Sequence, residues 1–333
     1  MQNPSARPGE FDLIARYFVP LAAPGALGLT DDAAMLSLPP GCDLVLSKDM
    51  LVAGIHFFAS DPADAIARKA LRVNLSDLAA KGARPLGFLL GLGLPQDWTE
   101  AWLAEFARGL GEDAAAYACP LLGGDTVSSP ERLTLSITVF GAVPSGAMPR
   151  RSGGQPGDTL YVTGTIGDGA LGLIARQAQI SNAPAPWPAG DCAALIDRYL
   201  VPQPRNALAE IIRTHASAGM DVSDGLIGDA TKLAAASGTG LTLQLADVPL
   251  SLAARNVIAH QPDLLHRAVT GGDDYEVLCT VPAEKRNDFE REAARIGVPV
   301  TCIGELADAR EGVQMIDANG QPYITKAGSF RHF

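Results

Sequence analysis

Apolar and amphipathic stretches alternate along most of the chain, and they predict strands that take turns with helices. Short apolar runs predict strands at 43–47, 86–94, 133–143, 159–163, 241–245 and 276–281. Helical periodicity predicts helices at 10–19, 61–81, 97–117, 169–178, 205–217, 224–237 and 283–296. Residues 180–190 are rich in Ala and Pro and indicate a loop. The alternation is typical of an α/β fold.

A Gly- and Pro-rich stretch at 144–157 interrupts this alternation. It contains Val-Pro-Ser-Gly, Met-Pro-Arg-Arg-Ser-Gly-Gly and Pro-Gly-Asp, which are typical of loops between domains. We therefore predict two α/β domains, residues 1–147 and residues 148–333. A chain of 333 residues has the length of two domains of roughly 150 residues each.

The charge balance limits the class of ligand. The chain has 26 basic and 37 acidic side chains, a net charge of −11, and 47% of its residues are hydrophobic. A nucleic-acid-binding protein normally carries a basic patch, and the sequence shows none, so we predict no nucleic-acid partner. An acidic protein that handles anions needs metal ions or a few local Arg and Lys side chains.

The cysteines and the N-terminal residues indicate a cytoplasmic protein without a membrane span. Five cysteines lie far apart and form no C-x-x-C pair, which argues against disulfides and structural zinc. The first ten residues lack the apolar region of a secretory signal. The purest apolar stretch, Leu86 to Leu94, is too short to cross a bilayer.

Common nucleotide-binding motifs do not explain the chain. Gly167-Asp-Gly169-Ala-Leu-Gly172 follows a predicted strand and satisfies G-x-G-x-x-G. A dinucleotide site also needs an acidic residue about 20 positions later, after a second strand. Asp191 stands there but follows Ala-Pro-Ala-Pro-Trp-Pro, so tight helix–strand packing is the better interpretation. The dipeptide Gly-Lys of a P-loop is absent.

Aspartates recur in turns of small residues. The clusters are Thr30-Asp31-Asp32, Ser47-Lys48-Asp49, Asn74-Leu75-Ser76-Asp77, Gly123-Gly124-Asp125-Thr126, Asp221-Val222-Ser223-Asp224-Gly225 and Gly271-Gly272-Asp273-Asp274. Each alone is compatible with an Asx turn or a helix cap. Asp77 differs because it shares one face of a predicted helix with Asn74, among apolar neighbours.

Together the clusters predict carboxylates that bind magnesium and a polyphosphate. Mg²⁺ prefers oxygen ligands and often joins carboxylates to substrate phosphates. Two like charges about 4 Å apart repel by about 4 kcal/mol at an effective dielectric constant of about 20, so a group of aspartates cannot accept a polyphosphate without divalent ions. Arg151 is the candidate cationic side chain for the phosphates, although a solvated linker arginine is an equally good interpretation.

These motifs together resemble a known family. Gly-Leu-Thr-Asp31-Asp32-Ala, Leu-Ser47-Lys48-Asp49-Met-Leu-Val-Ala-Gly-Ile-His56-Phe, Val73-Asn-Leu-Ser-Asp77-Leu-Ala-Ala, Gly123-Gly-Asp-Thr126, Arg151-Ser-Gly-Gly-Gln-Pro-Gly-Asp158, Met220-Asp-Val-Ser-Asp-Gly-Leu226 and Gly271-Gly-Asp-Asp-Tyr-Glu276 occur in the family's order. Residues 9 to 333 resemble the thiamine-monophosphate kinases. Their superfamily includes aminoimidazole ribonucleotide synthetase and selenophosphate synthetase.

The resemblance implies ATP-dependent phosphorylation of thiamine monophosphate to thiamine diphosphate by direct in-line transfer. It implies two α/β domains and a homodimer formed by the N-terminal sheets. The implied magnesium ligands are Asp31, Ser47, Asp49, Asp77, Asp125, Asp221 and Asp224. The implied ATP contacts are Tyr117, Gly124, Asp125, Arg151 and Ser223, and the implied contacts of thiamine monophosphate are His56, Asp273 and Phe330. Asp77, Asp125, Asp224 and Arg151 are the implied catalytic residues.

Three departures from the family pattern and two alternatives remain. Thr30 replaces a Gly and requires a negative φ, Lys48 replaces a small hydroxyl residue, and Asp273 replaces a Glu that is one methylene longer. Another ATP-using synthetase of the superfamily is one alternative function. The other is a catalytically silent protein that binds a nucleotide or a thiamine phosphate, which the complete set of aspartates disfavours.

Overall fold

The computed structural model describes residues 8–324, which form two compact units. One unit takes the residues up to 78 and the segment 84–146, and the other takes 79–83 and the residues from 147 onward. Each unit combines helices with one sheet in which parallel and antiparallel pairs occur together. The predicted α/β fold class is therefore confirmed.

The first unit has a sheet of four strands. They are β1 (Cys42–Val52), β2 (Arg84–Leu94), β3 (Leu121–Ser128) and β4 (Thr134–Pro144), in the spatial order β1-β4-β2-β3. β4 is antiparallel to β1 and β2, whereas β2 and β3 are parallel. β1 extends beyond the predicted 43–47 because Ser47, Lys48 and Asp49 interrupt its apolar run, whereas its pairing with β4 continues to Val52.

The helices of the first unit are α1 (Glu10–Leu13), α2 (Ala63–Ala80) and α3 (Glu100–Ala116). α1 continues into a π-helical turn at Ile14–Phe18, so the predicted helix at 10–19 is irregular. A buried ion pair joins the two long helices. The Asp113 carboxylate of α3 is 1% exposed and accepts hydrogen bonds from Arg68 and Arg72 of α2, at 2.7 and 2.9 Å.

The second unit has a sheet of six strands, with spatial order β10-β7-β9-β5-β8-β6. They are β5 (Thr159–Thr163), β6 (Ala218–Val222), β7 (Gly240–Gln244), β8 (Glu276–Val281), β9 (Val300–Ala307) and β10 (Val313–Ile316). Both faces of β5 are buried: Leu160 and Val162 pack in one core, and Tyr161 packs in another. β5 and β8 begin and end as predicted.

Helices cover both faces of this sheet. They are α4 (Asp168–Ile180), α5 (Ala189–Leu200), α6 (Ala209–His215), α7 (Leu226–Ser237), α8 (Leu252–His260), α9 (Leu264–Thr270) and α10 (Arg286–Arg295). α7 packs on one face, and α6 and α10 pack on the other. α4, α5, α8 and α9 form a further apolar core that includes Trp187. Within residues 8–324, no helix combines the length and apolar character that a membrane span requires.

Candidate active site

Strand β1 and helix α2 bring several predicted residues together. The Ser47 hydroxyl donates a hydrogen bond to the Asp77 carboxylate. The backbone N–H of Asp49 donates to Asn74 Oδ1 at 3.0 Å, and Asn74 Nδ2 donates to the carbonyl of Ala70 at 3.0 Å. Asn74 and Asp77 therefore share the face of α2 that meets β1, as their spacing predicts.

A cavity of about 580 Å³ in the first unit collects a second group of predicted residues. Asp31, Gly124 and Asp125 line it, together with Ser136 and Thr138 of β4. Two hydroxyl groups and two exposed carboxylates therefore line the same cavity, together with apolar side chains such as Phe18 and Leu29. The cavity has a size that accepts a small ligand.

Lys48 lies on the other face of β1 from Ser47 and Asp49. It opposes Thr138 in the register with β4, and residues directly opposite each other project to the same side of a sheet. Its ammonium group donates to Ser136 Oγ at 2.6 Å. Because alternate residues of a strand face opposite sides, the Lys48 side chain is directed away from the face that carries Ser47 and Asp49.

Gly124 is required by the packing of β3 against β2. A Cβ at this position would lie 1.9 Å from the Leu90 carbonyl oxygen, which belongs to the backbone and cannot rotate away. A Cβ at the neighbouring Gly123 would meet only the Leu89 side chain, at 3.3 Å. Strand packing alone therefore requires glycine at position 124, independently of nucleotide binding.

Replacing Gly124 by Ala should lower the free energy of unfolding by about 1–3 kcal/mol, the usual cost of overpacking. Urea unfolding without nucleotide measures this effect. Gly123→Ala is the matched control and should cost clearly less, since a side chain can yield where a carbonyl cannot. Equal losses for both variants would contradict the packing argument.

In the second unit, the segment after β6 holds Ser223 and Asp224 by their backbones. Asp221 is buried in β6. The N–H groups of Ser223 and Asp224 donate to Asp229 Oδ2 at 3.1 and 2.9 Å, and Asp229 is fully buried in α7. The Lys232 ammonium group reaches Asp224 Oδ2 at 2.6 Å and Asp229 Oδ1 at 2.9 Å.

Asp229 and Lys232 are functional candidates that the sequence analysis missed. Burial raises the pKa of Asp229. Burial works against the charged form of Lys232, but the hydrogen bonds to Asp224 and Asp229 outweigh it and raise the pKa of Lys232. A cationic group therefore already contacts Asp224. The only available signal was the i,i+3 spacing of Asp229 and Lys232 on one helix.

Glu276, the first residue of β8, is a buried carboxylate that accepts hydrogen bonds from two arginines and a threonine. Its carboxylate accepts two hydrogen bonds from Arg205, both at 2.6 Å, one from Arg198 at 2.8 Å and one from Thr163 Oγ1 at 2.6 Å. The sequence analysis gave neither arginine a role. Arg198 lies in α5, which was not predicted, and no motif links either residue to Glu276.

Three further predicted residues have local contacts of their own. His56 Nδ1 accepts the N–H of Val52 at 3.0 Å. The Tyr117 ring lies 5.5 Å from the guanidinium carbon of Arg72. Arg151 is exposed, and its carbonyl accepts the Ser237 hydroxyl at 3.0 Å. Phe330 lies outside the described residues.

Comparison with known proteins shows the family of this chain. The model of the AIR synthase related protein, N-terminal domain, matches residues 30–143, and the model of the C-terminal domain matches residues 155–316. A thiamine-monophosphate kinase of Caulobacter vibrioides is 45% identical over 314 residues, which are 93% of this chain and 87% of that protein. The chain belongs to the thiamine-monophosphate kinase family.

Solved structures of thiamine-monophosphate kinases agree with this assignment. The kinase of Stenotrophomonas maltophilia K279a is 37% identical and superposes with a TM-score of 0.78, over 89% of this chain and 91% of that chain. The structure of AaThiL complexed with AMPPCP and TMP is 29% identical, with a TM-score of 0.76, and covers 100% of this chain and 99% of that chain. The similarity to the kinases therefore extends over both units.

One departure from the thiamine-monophosphate kinase pattern is explained by the backbone. Thr30 has a φ of −113°, an ordinary value that needs no glycine. Thr at position 30 therefore has the negative φ that its replacement of a Gly requires. The Asp273 side chain accepts the Tyr275 hydroxyl at 3.2 Å, within its own loop.

The thiamine-monophosphate kinase resemblance also implies magnesium. Within residues 8–324, no group of three or more His, Cys, Asp or Glu side chains is close enough to hold a metal ion. The donor set itself fits Mg²⁺, because the implied ligands are carboxylates and one hydroxyl, all hard oxygen donors. The magnesium site stays a prediction.

The glycine motif after β5 does not form a dinucleotide site of the Rossmann type. β5 is antiparallel to both of its neighbours, β8 and β9, whereas that fold requires parallel strands. A Cβ on Gly172 would lie 2.1 Å from the Leu195 carbonyl of α5, and one on Gly169 would lie 2.4 Å from the Asp273 carbonyl. The glycines permit close packing, but their partners are a helix and a loop, not the predicted strand.

Proposed function

We propose that this protein transfers the γ-phosphoryl group of ATP to thiamine monophosphate and produces thiamine diphosphate and ADP. The similarity to AaThiL carries the proposal, because that protein was solved with AMPPCP and TMP and matches this chain from end to end. AMPPCP has a methylene group where ATP has its β–γ bridging oxygen, so such a complex represents the state before transfer. The reaction belongs to thiamine diphosphate biosynthesis.

The transfer needs no general base. A phosphate oxygen of thiamine monophosphate is already ionised near neutral pH, so it can form a bond to the γ-phosphorus while the bond to the bridging oxygen of ADP breaks. The transition state of phosphoryl transfer is loose, and catalysis depends on positioning and on neutralising charge. Residues that hold both reactants in line therefore supply most of the acceleration.

We assign the residues on the family resemblance and on their local contacts. Gly124, Asp125, Arg151, Ser223 and Tyr117 would contact ATP, and His56, Asp273 and Phe330 would contact thiamine monophosphate. Asp77, Asp125, Asp224 and Arg151 would act directly in the transfer. The cavity beside Gly124 and Asp125 supports the nucleotide assignment, since it offers carboxylate and hydroxyl groups together with apolar side chains.

Magnesium would be the essential metal. The residues that would hold it are Asp31, Ser47, Asp49, Asp77, Asp125, Asp221 and Asp224. When bound, Mg²⁺ neutralises part of the charge of the donor phosphates. Asp224 would hold the metal beside Lys232, whose ammonium group contacts Asp224 Oδ2 at 2.6 Å.

We also propose a homodimer through the sheet of the first unit. Leu44, Leu46 and Met50 project from one face of the edge strand β1 and are 38%, 57% and 54% exposed. Exposed apolar side chains in a row on a sheet edge are typical of an interface. The cytoplasmic location expected from the sequence stays a prediction.

Mass-resolved product analysis tests the function. The protein is incubated with Mg²⁺, thiamine monophosphate and ATP whose γ-phosphoryl oxygens carry ¹⁸O. We expect thiamine diphosphate with the label in its terminal phosphoryl group and one ADP per product. Free thiamine is the control acceptor and should give no product, because it lacks the phosphate oxygen that attacks.

Three results would contradict the proposal. Binding of both substrates without thiamine diphosphate would indicate a silent binding protein. Labelled inorganic phosphate in place of labelled thiamine diphosphate would indicate an ATP-using synthetase or a hydrolase. Label-free thiamine diphosphate would exclude direct transfer from ATP.

A further inference from the structure

The loop between α9 and β8 is attached to the end of β6 by its backbone. The N–H of Asp273 donates to the Ser223 carbonyl at 3.0 Å, and the N–H of Tyr275 donates to the Val222 carbonyl at 2.8 Å. These two bonds lie on either side of Asp274. The loop is thus held to β6 at Asp273 and Tyr275, and Asp274 lies between these two bonds.

The Asp274 side chain attaches the same loop to a second element, helix α4. It is 2% exposed, and its two carboxylate oxygens accept the N–H groups of Gly167 at 2.8 Å and Gly169 at 3.0 Å. Gly167 is the N-cap residue of α4, and glycine has no side chain that could accept a hydrogen bond from the N–H groups of the first turn. Asp274 therefore supplies, from a remote part of the chain, the oxygens that an N-cap Ser or Asp normally supplies.

The backbone around Asp274 is strained. Asp273 and Tyr275 have φ values of +74° and +53°, in the left-handed region that side chains other than glycine disfavour. Such conformations persist only where the surroundings hold them, and they concentrate at functional sites. The Asp273 carbonyl also lies where a Cβ of Gly169 would be, so the loop and α4 are in close contact.

We infer that Asp274 is a positioning residue for thiamine monophosphate, because it fastens the loop to α4 and so fixes the direction of the Asp273 side chain. The inference rests on the proposed function, in which Asp273 contacts the acceptor. Ser223, the proposed ATP contact, bonds the loop through its carbonyl, but its own N–H is held by Asp229 at 3.1 Å. The effect of Asp274 should therefore be larger for thiamine monophosphate than for ATP.

Asp274→Asn tests the inference in the full-length protein. Asn keeps the size of the side chain but has one carbonyl oxygen, so one of the two N–H groups loses its acceptor and faces an amide N–H₂ group. We expect the KM for thiamine monophosphate to rise on the order of 10-fold, because small misplacements of a positioning group have effects of this size or larger. The KM for ATP should change little.

Asp168→Asn is the matched control. Asp168 is also a buried aspartate in the first turn of α4, but its carboxylate accepts the hydroxyls of Thr165 and Ser251, at 2.6 Å each. It also lies 3.8 Å from Arg198, whose bond to Glu276, at 2.8 Å, does not involve Asp168. Its loss should disturb the same end of the helix without releasing the loop. We expect a lower melting temperature for both variants and a higher KM for thiamine monophosphate only for Asp274→Asn.

Hydrogen exchange separates this inference from the proposed function, since it needs no substrate. Asp274→Asn should speed exchange at the amides of Gly167, Gly169, Asp273 and Tyr275, whereas Asp168→Asn should leave the last two unchanged. Unchanged exchange at Asp273 and Tyr275, or equal rises in KM for both substrates, would overturn the inference. Absence of thiamine diphosphate with the unaltered protein would overturn the proposed function, and exchange would still decide the role of Asp274 in holding the loop.

Discussion

Replacing Asp77 by Asn will lower kcat by about 10²-fold or more and leave the protein folded, as expected when a charged group that acts in the transition state is removed. Asn has nearly the shape of Asp and retains an oxygen for the Ser47 hydroxyl, so the contact between α2 and β1 survives. The change therefore removes the negative charge and little else. Initial rates at saturating ATP and thiamine monophosphate measure the loss, and a melting curve verifies the fold.

The control for this prediction is another aspartate of the same helix. Asp64 lies in the first turn of α2, is partly exposed and pairs with Arg108 at 3.2 Å. Asp64→Asn removes the same charge from α2 without touching the proposed site, and turnover should stay normal. Near-normal rates of Asp77→Asn at saturating Mg²⁺ would exclude Asp77 from metal binding.

The central strands of the second unit were predictable because a strand that is buried on both faces consists mostly of apolar residues. β5 and β8 lie inside the sheet with helices on both faces, so every residue of both strands is buried. Their central residues are therefore mostly apolar, and the polar residues Thr159, Thr163 and Glu276 stand at the strand ends. The edge strand β1 lacks this property, because Ser47, Lys48 and Asp49 interrupt its apolar run.

Other elements could not be predicted because their sequences favour something else locally. β3 contains Gly123-Gly124-Asp125, which indicates a turn, yet pairing with β2 makes it a strand. α5 follows an Ala- and Pro-rich stretch, and its buried side chains Cys192 and Leu195 stabilise the helix by packing in the core with α4 and α8. Short helices depend on such tertiary contacts.

In the candidate site, too, local arrangements could be predicted from the sequence, whereas contacts between remote segments could not. The sequence predicts that Asn74 and Asp77 share a helix face, because the periodicity of a helix is a local property. Strand alternation likewise separates Lys48 from Ser47 and Asp49, a consequence that the sequence analysis did not draw. The pairing of Glu276 with Arg198 and Arg205 joins segments remote in the chain, and no local rule contains it.

Replacing Glu276 by Gln should lower the free energy of unfolding by about 3–5 kcal/mol, the cost of removing one partner from a buried ion pair. Glu276 is fully buried, and its carboxylate is the shared acceptor of Arg198 and Arg205, which are themselves largely buried. Gln has one carbonyl oxygen and presents N–H donors to two cations that also donate, so their desolvation is no longer compensated.

Urea unfolding of Glu276→Gln beside Glu112→Gln distinguishes a buried network from surface pairing. Glu112 also contacts two arginines, Arg68 and Arg108, but its side chain is 48% exposed, so solvent replaces the lost interaction and stability should barely change. If both variants unfold at the same urea concentration as the unaltered protein, the Glu276 network does not stabilise the second unit. A loss confined to Glu276→Gln would mean that this carboxylate secures the start of β8, and with it the loop that carries Asp273 and Asp274.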